Sequence, residues 1–206
     1  KAGPKGGNVA IATVNVDPLG AVTVTADSLP QGQGHATILS QIVADELGLK
    51  PSDIQANMER DTQRDPWSIA TGNYSSRFSS STAVAGQMAA RKVRDKLATI
   101  AAQTLNVPSE EVEFANGQVF CKDNPDNAIR FSRVAGTAHW SPGELPTDMA
   151  PGVTETATWS APELEPPNEK DQINTSLTYG FVFDICGVEV DRDTGEVKID
   201  KYVTMH

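Results

Sequence analysis

Two short loops in the sequence carry residue types that bind polar or phosphorylated ligands. The first, residues 28–37 with the sequence SLPQGQGHAT, lies between a segment patterned as a strand and one patterned as a helix. Gly32 and Gly34 allow close backbone approach to a ligand, and the start of the helix offers unpaired N–H groups with a partial positive charge. Gln33 and Thr37 add side-chain hydrogen-bonding groups. This loop therefore suits phosphate or another anion.

The second loop, residues 61–79, lies between a predicted strand and the longest predicted helix. Ser75, Ser76 and Ser79 place hydroxyl donors beside the start of that helix, and Arg77 adds a positive charge. A polar or phosphorylated ligand is again the ligand class that such a loop favours.

Each loop also has a simpler explanation. The spacing of the first loop matches neither the G-x-G-x-x-G dinucleotide fingerprint nor the P-loop, which needs Lys and then Ser or Thr after its last Gly. A tight turn that binds nothing accounts for it. A capped helix behind a solvated, serine-rich loop accounts equally for the second. Only the two loops together favour a binding function.

No residue in the sequence stands out as a catalytic or metal-binding group. Cys121 and Cys186 form no C-x-x-C pair and have no His at ligand spacing, so the sequence encodes neither an iron–sulfur site nor a structural zinc site. We expect two reduced thiols, with a single disulfide as the alternative. The acidic residues at 110–111, 163 and 165 lie in exposed-looking loops, where solvated charge is the expected role.

The elements next to the loops follow from the spacing of apolar residues. Alternation predicts a hairpin with strands at residues 8–16 and 21–26 before the first loop. Apolar residues three and four apart predict helices over residues 36–47 and 80–105, one after each loop. Each helix ends at Gly or Asn followed by Pro, which is typical of a left-handed C-terminal cap before a strand.

Beyond residue 112 the pattern is mainly of β type. Asn116 and Gly117 form a strong two-residue hairpin signal between predicted strands at residues 112–115 and 118–121. The remaining predicted elements are a short helix over 130–140, a proline-rich loop over 141–169 with a strand at 153–159, and a final hairpin with strands at 178–190 and 197–204.

This order of elements predicts an α+β fold, with mixed or antiparallel sheets and two main amphipathic helices. We expect an α/β subdomain with both loops over residues 1–112 and a mainly β part with proline-rich loops over 113–206. The sequence opens without Met and stops inside a strand pattern, which predicts a fragment of a longer chain.

The charge balance excludes several partners. Seventeen Lys and Arg against 27 Asp and Glu give a net charge of −10, which repels nucleic-acid phosphates and anionic lipid. Basic residues over 91–96 alternate with apolar ones at helical spacing, as on a solvated helix face. No apolar run approaches the ~20 residues of a membrane span, and the first residues lack a secretory signal. We therefore expect a cytoplasmic protein that binds neither nucleic acid nor a membrane.

In combination the motifs resemble the molybdopterin-binding large subunit of the xanthine dehydrogenase and aldehyde oxidase family. The resemblance rests on QGQGHATILSQIVADELGL, DTQRDPW and TGNYSSRFSSSTAVAGQMAARKV, in that order and spacing, and is strongest to bacterial members resembling carbon monoxide dehydrogenase. CGVEVDRDTGEVKIDKYVTMH resembles the strand pair that leads into further cofactor-binding segments. The match is good over residues 8–112, moderate over 178–206 and less distinctive between.

The resemblance implies a molybdenum ion held by a pterin dithiolene, which hydroxylates a substrate carbon with oxygen derived from water. It implies the cytosine dinucleotide form of the cofactor, with iron–sulfur clusters and FAD on partner subunits or domains. It also implies two groups of contacts. The residues that contact the pterin are Gly32, Gln33, Gly34, His35 and Thr37, with Gln33 the strongest candidate. The residues that contact the cofactor or its phosphate-bearing tail are Tyr74, Ser75, Ser76 and Arg77.

One family feature has no counterpart in this sequence. The base of these enzymes is a Glu in a Gly-Glu motif near the end of the subunit, and no such motif follows the last strand pair. We therefore expect the rest of the large subunit, the iron–sulfur and FAD subunits and a small-molecule substrate such as an aldehyde or N-heterocycle as partners, and an inactive isolated chain. The alternatives are a phosphate- or nucleotide-binding module without redox chemistry and a truncated structural piece that binds nothing alone.

Overall fold

The computed structural model describes residues 9–65, 67–174 and 181–205. Asn8, Pro66 and residues 178–180, which belong to predicted elements, lie outside these ranges. The strands are β1 (Val9–Val16), β2 (Val22–Ala26), β3 (Ile54–Asn57), β4 (Val112–Ala115), β5 (Gln118–Cys121), β6 (Asn124–Arg130), β7 (Val153–Ser160), β8 (Phe183–Val190) and β9 (Val197–Met205), and the helices are α1 (His35–Leu47), α2 (Ala83–Leu105) and α3 (Phe131–Trp140). A π-helical turn, Phe78–Thr82, precedes α2, and short 3-10 turns lie at Pro51–Asp53, Ser109–Glu111 and Pro142–Glu144.

The main sheet has four strands in the order β3-β2-β1-β7. The predicted hairpin of β1 and β2 is confirmed, and β7 pairs antiparallel along the whole of β1. β3 lies parallel to β2 at the edge, because α1 carries the chain back across the sheet between them. The sheet therefore takes strands from both sides of residue 112, where the sequence predicts a subdomain boundary.

Helices α1 and α2 cover one face of this sheet. Alternate residues of β1, from Ala10 to Val16, are fully buried on that face, and Leu39 of α1 and Val93 of α2 pack in the same core. At Gly86 the helices approach closely, since a Cβ there would lie 2.8 Å from the Leu39 side chain. Strand alternation and helical spacing thus meet in one core, as the sequence predicts.

Both helices end in the predicted left-handed caps. Gly48 has φ 64° and its N–H donates to the Ala44 carbonyl, and Asn106 has φ 55° and donates to the Ala102 carbonyl. These bonds satisfy carbonyls that have no partner inside the helix.

The second sheet is antiparallel, in the order β4-β5-β6. Its β4–β5 hairpin spans the predicted residues, and Asn116 and Gly117 have the positive φ angles, 52° and 73°, that its two-residue turn requires. β6 was not predicted, because its sequence contains Pro125 and few apolar residues. The short helix α3 is confirmed and packs against α2.

Strands β8 and β9 form the predicted last hairpin, as a separate two-stranded sheet. All its residues are exposed. Strand alternation puts Phe183 and Ile185 on one face and Val188 and Val190 on the other, and a register shift after Gly187 pairs the second set with apolar residues of β9. Its apolar side chains therefore change faces halfway along the hairpin.

These elements confirm an α+β fold with mixed and antiparallel sheets. Within the described ranges, none of the helices combines the length and apolarity needed to cross a bilayer.

Candidate cofactor-binding site

The sheet topology brings the two loops together. In the structure the first loop is the connection over residues 27–34, which leaves the end of β2. The second loop is the connection over residues 58–65 and 67–77, which leaves the end of β3, and β3 runs parallel to β2. The antiparallel β1 begins at the same edge of the sheet. α1 and the π-helical turn therefore both start at this edge, each directly after its loop, as expected for a loop that leads into a helix.

A buried ion pair joins the loops. The guanidinium of Arg77 lies 3.2 Å from the carboxylate of Asp27, and the two side chains are 1% and 0% exposed. Arg77 Nη2 also donates to the Val9 carbonyl at 2.8 Å, and Nη1 donates to the carbonyls of Gly72 and Asp27 at 3.2 and 3.3 Å. One side chain thus links both loops to the first residue of β1.

Further groups surround the Asp27 carboxylate. The Ser68 hydroxyl lies 2.5 Å from Oδ2, and the Thr82 hydroxyl donates to Oδ1 at 3.3 Å. The Asp27 carbonyl accepts the N–H of Gly72 at 3.0 Å. Burial lowers the pKa of Arg60, and the carboxylates of Asp27 and Asp65 oppose that shift, so a second cation lies within the electrostatic reach of Asp27.

A ring stack joins the starts of the two helical segments. His35, the first residue of α1, stacks on Phe78, the first residue of the π-helical turn, with ring centroids 3.7 Å apart and planes 6° apart. His35 Nδ1 lies 2.8 Å from the buried hydroxyl of Ser28. Burial lowers the pKa of His35 below its usual value, so the ring is neutral at pH 7. π-Helical turns are frequent at functional sites.

The first loop presents an open backbone surface. Gly32 and Gly34 have φ angles of 101° and 77°, and a Cβ on either would meet no atom within 4 Å. No side chain caps the start of α1, and its first turn contains no acidic residue. The Gln33 side-chain oxygen accepts the N–H of Gln31, which leaves the amide NH₂ of Gln33 for a ligand. Backbone N–H groups and open space together fit a polar or anionic group.

The second loop places an exposed segment beside the first. Tyr74 is 44% exposed, and the consecutive residues Ser75 and Ser76 are exposed with φ angles of 51° and 52°. Two adjacent non-glycine residues in this region are uncommon, and such strain concentrates at functional sites. The Asn73 amide donates to the Gln31 side chain at 3.2 Å, which joins the tips of the loops.

The structure brings all nine residues implied by the family resemblance to this edge and divides them by burial. His35 and Arg77 are buried behind the surface. Arg77 was expected to face the cofactor or its tail, but the structure directs its guanidinium to Asp27. The remaining seven are exposed, namely Gly32, Gln33, Gly34, Thr37, Tyr74, Ser75 and Ser76.

One of two cavities of similar volume lies next to this site, and the other lies away from it. A cavity of about 540 Å³ adjoins the first loop, lined by Leu29, Pro30, Gln55, Ala56, Asn57, Met58 and Glu59. A second cavity of about 550 Å³ lies between α2 and residues 146–150, where none of the nine residues is found. Among the residues that the structure describes, no group of three or more His, Cys, Asp and Glu side chains could hold a metal ion.

Sequence reasoning missed Asp27, Ser68 and Thr82. Asp27 directly follows β2, which marks it as the first residue of the loop, but its partner Arg77 lies 50 positions away. A single sequence does not show which of many acids pairs with a given arginine. The π-helical turn was likewise missed, because Phe78–Thr82 is four-fifths serine and threonine and has no apolar spacing from which its type could be predicted.

A family model for the molybdopterin cofactor-binding domain matches residues 1–206. The chain belongs to this family. The predicted family is therefore confirmed, and molybdopterin binding is what defines it.

Individual relatives support the same family assignment. This molybdopterin cofactor-binding domain is 29% identical over 192 residues to the carbon monoxide dehydrogenase large chain of Hydrogenophaga pseudoflava, a match covering 93% of the chain and 22% of that protein. It is 28% identical over 190 residues to the nicotine 6-hydroxylase large subunit of Paenarthrobacter nicotinovorans, covering 92% and 21%. The solved structure of reconstituted CO dehydrogenase from Oligotropha carboxidovorans superposes with a TM-score of 0.79 at 28% identity, covering 98% of this chain and 24% of that one. The chain thus spans about a fifth to a quarter of the length of these relatives.

Proposed function

We propose that the two loops hold the pterin cofactor of a molybdenum-dependent oxidoreductase that hydroxylates an aldehyde or N-heterocycle carbon. The observation that carries this proposal is the open surface at Gly32 and Gly34, which have positive φ angles and no atom within 4 Å of an added Cβ. That surface lies at an uncapped helix start and beside the exposed residues of the second loop. Backbone of this kind suits a ligand that approaches the main chain closely.

Each predicted residue has a role in this proposal. Gly32 and Gly34 admit the ligand to the backbone, while the amide of Gln33 and the hydroxyl of Thr37 supply hydrogen bonds. His35 supports the first loop from below its surface, because it is buried and neutral and stacks on Phe78. A neutral His35 holds the start of α1 in place without adding charge beneath the ligand.

The second loop is proposed to receive the phosphate-bearing tail. Ser75 and Ser76 are exposed donors, and Tyr74 offers an exposed ring and hydroxyl. Arg77 lies behind them, and its positive charge is balanced by Asp27. We therefore assign Arg77 to holding the loop, and the direct contacts to the three exposed residues.

The bound cofactor supplies a molybdenum ion that exchanges electrons with the substrate, and the protein supplies binding and orientation. We propose the cytosine dinucleotide form, and iron–sulfur and FAD partners because the relatives are named as large chains or large subunits. The bacterial origin and cytoplasmic location expected from the sequence belong to the same proposal. None of the nine residues is a carboxylate, so we assign no general base to this chain.

The test is to purify the parent protein and measure its molybdenum, its phosphorus and the nucleotide released by hydrolysis. We expect molybdenum in proportion to protein, together with a cytosine nucleotide. A bound nucleotide without molybdenum or pterin would support a binding module instead. A folded protein with neither would contradict the proposed function.

A further inference from the structure

Asp27 lies behind the two loops, where β2 passes into the first loop. Its side chain is fully buried. Each carboxylate oxygen has two partners, since Oδ1 contacts Arg77 and Thr82 at 3.3 Å, and Oδ2 contacts Arg77 at 3.2 Å and Ser68 at 2.5 Å. Ser68, Arg77 and Thr82 therefore all contact this one carboxylate, and their hydrogen bonds occupy both of its oxygens.

We propose that Asp27 is a positioning residue of the cofactor site, which sets the spacing of the two loops without touching the cofactor. The inference rests on the proposed function, because only a shared ligand requires the loops to keep a fixed spacing. Arg77 directly follows Ser75 and Ser76, whose left-handed conformation is unfavourable for serine. By anchoring Arg77, Asp27 holds these two exposed residues in their strained conformation.

Other contacts between the loops are less able to set the spacing. The hydrogen bond between Asn73 and Gln31 is neutral and exposed, so water competes for both groups. The stack of His35 on Phe78 fixes the helix starts but not the exposed residues 74–76. The charge-assisted hydrogen bonds between the buried Asp27 carboxylate and the Arg77 guanidinium are stronger and more directional than either of these contacts.

The experiment uses the cofactor-loaded parent protein and three variants. Asp27→Asn removes the charge at nearly unchanged size, and Arg77→Lys keeps the charge but loses the planar fork. Glu46→Gln is the matched control, because it removes the charge of a carboxylate outside the two loops, which pairs with the exposed Arg91 and Arg94 at 3.0 and 3.5 Å. Molybdenum retained per folded subunit is measured after gel filtration, and amide hydrogen exchange is measured for both loops and for β1.

For Asp27→Asn we expect cofactor affinity to fall about tenfold to hundredfold, the range found when the hydrogen-bonding partners that orient metal-ligating side chains are removed. We expect faster exchange over residues 28–34 and 67–76 with β1 at the wild-type rate. Arg77→Lys should show the same pattern at smaller amplitude, and Glu46→Gln should match wild type. Loss confined to the loops is the signature of positioning, which a purely structural residue would not produce.

Two results would overturn the inference. One is Asp27→Asn with wild-type molybdenum retention and unchanged loop exchange. The other is equally accelerated exchange in β1 and the loops with unchanged retention per folded molecule, which would make Asp27 a residue of global stability. If Asp27→Asn does not fold, Ser68→Ala is used instead, because it removes one neutral contact to the carboxylate. Unchanged hydrogen exchange in both loops of Ser68→Ala would also overturn the inference. Wild-type protein without molybdenum would instead contradict the proposed function.

Discussion

Gly34 and Gly117 form a matched pair for testing where the cofactor binds. Their φ angles are 77° and 73°, and a Cβ on either would meet no atom within 4 Å. An alanine at either position is therefore strained by its backbone but free of clashes. A left-handed conformation costs an L-residue about 1–2 kcal/mol. The smaller conformational freedom of the unfolded alanine chain offsets about 0.4–1 kcal/mol of this.

The two variants should consequently lose similar stability, about 1 kcal/mol each, in denaturant unfolding of the cofactor-free protein. Only Gly34→Ala should also lose cofactor, because Gly34 lies in the proposed site whereas Gly117 lies in the β4–β5 turn. Molybdenum per folded subunit distinguishes them. If Gly34→Ala keeps as much molybdenum as Gly117→Ala, the open space at the first loop is not where the ligand binds, and our reasoning about this surface is wrong.

Three further predictions concern other residues of the site. Gln33→Ala should weaken cofactor affinity by about 1–3 kcal/mol, because polar atoms of the bound ligand lose their partner, and normal molybdenum loading would remove Gln33 from the site. Arg77→Leu leaves the Asp27 carboxylate buried without its cation, so the free energy of unfolding should fall by about 3–5 kcal/mol, whereas the exposed Ser79→Ala should change it by less than about 0.5 kcal/mol; equal losses would contradict the ion pair. Burial lowers the pKa of His35, so the unfolded chain takes up the proton first and stability should fall as the pH drops below about 6.5. Thermal unfolding between pH 7.5 and 5 should show a smaller decrease for His35→Gln, and an equal decrease would exclude His35 as its source.

Local signals in the sequence were sufficient for much of the fold. The turn at Asn116 and Gly117 depends on two adjacent residues, and both strands of that hairpin were predicted to the residue. The caps at Gly48 and Asn106 are equally local. The meeting of the two loops at one edge also follows, once β2 and β3 are parallel and each loop leads into a helix.

Features that depend on distant residues could not be predicted in the same way. The pairing of β7 with β1 joins positions more than 100 residues apart, and nothing in either strand names the other. Arg77 was expected to contact the cofactor or its phosphate-bearing tail, because a positive charge beside a helix start favours a phosphate. Its partner Asp27 becomes visible only when the chain is folded. The motifs thus indicate the exposed part of the candidate site, whereas its buried support depends on contacts between distant residues.

The change of faces along the β8–β9 hairpin has a practical consequence for handling the chain. Val188 and Ile199 are 53% and 63% exposed on one side, and Phe183 and Met205 are 61% and 52% exposed on the other. Neither side is a polar surface that water solvates well, and among the residues that the structure describes no further strand pairs with either outer edge of the hairpin. Where no other surface packs on this hairpin, its exposed apolar side chains can be buried by pairing with the hairpin of a second copy of the chain. Preparations of the 206-residue chain should therefore self-associate with rising concentration, and lysines placed on both faces, rather than on one, are needed to keep it monomeric.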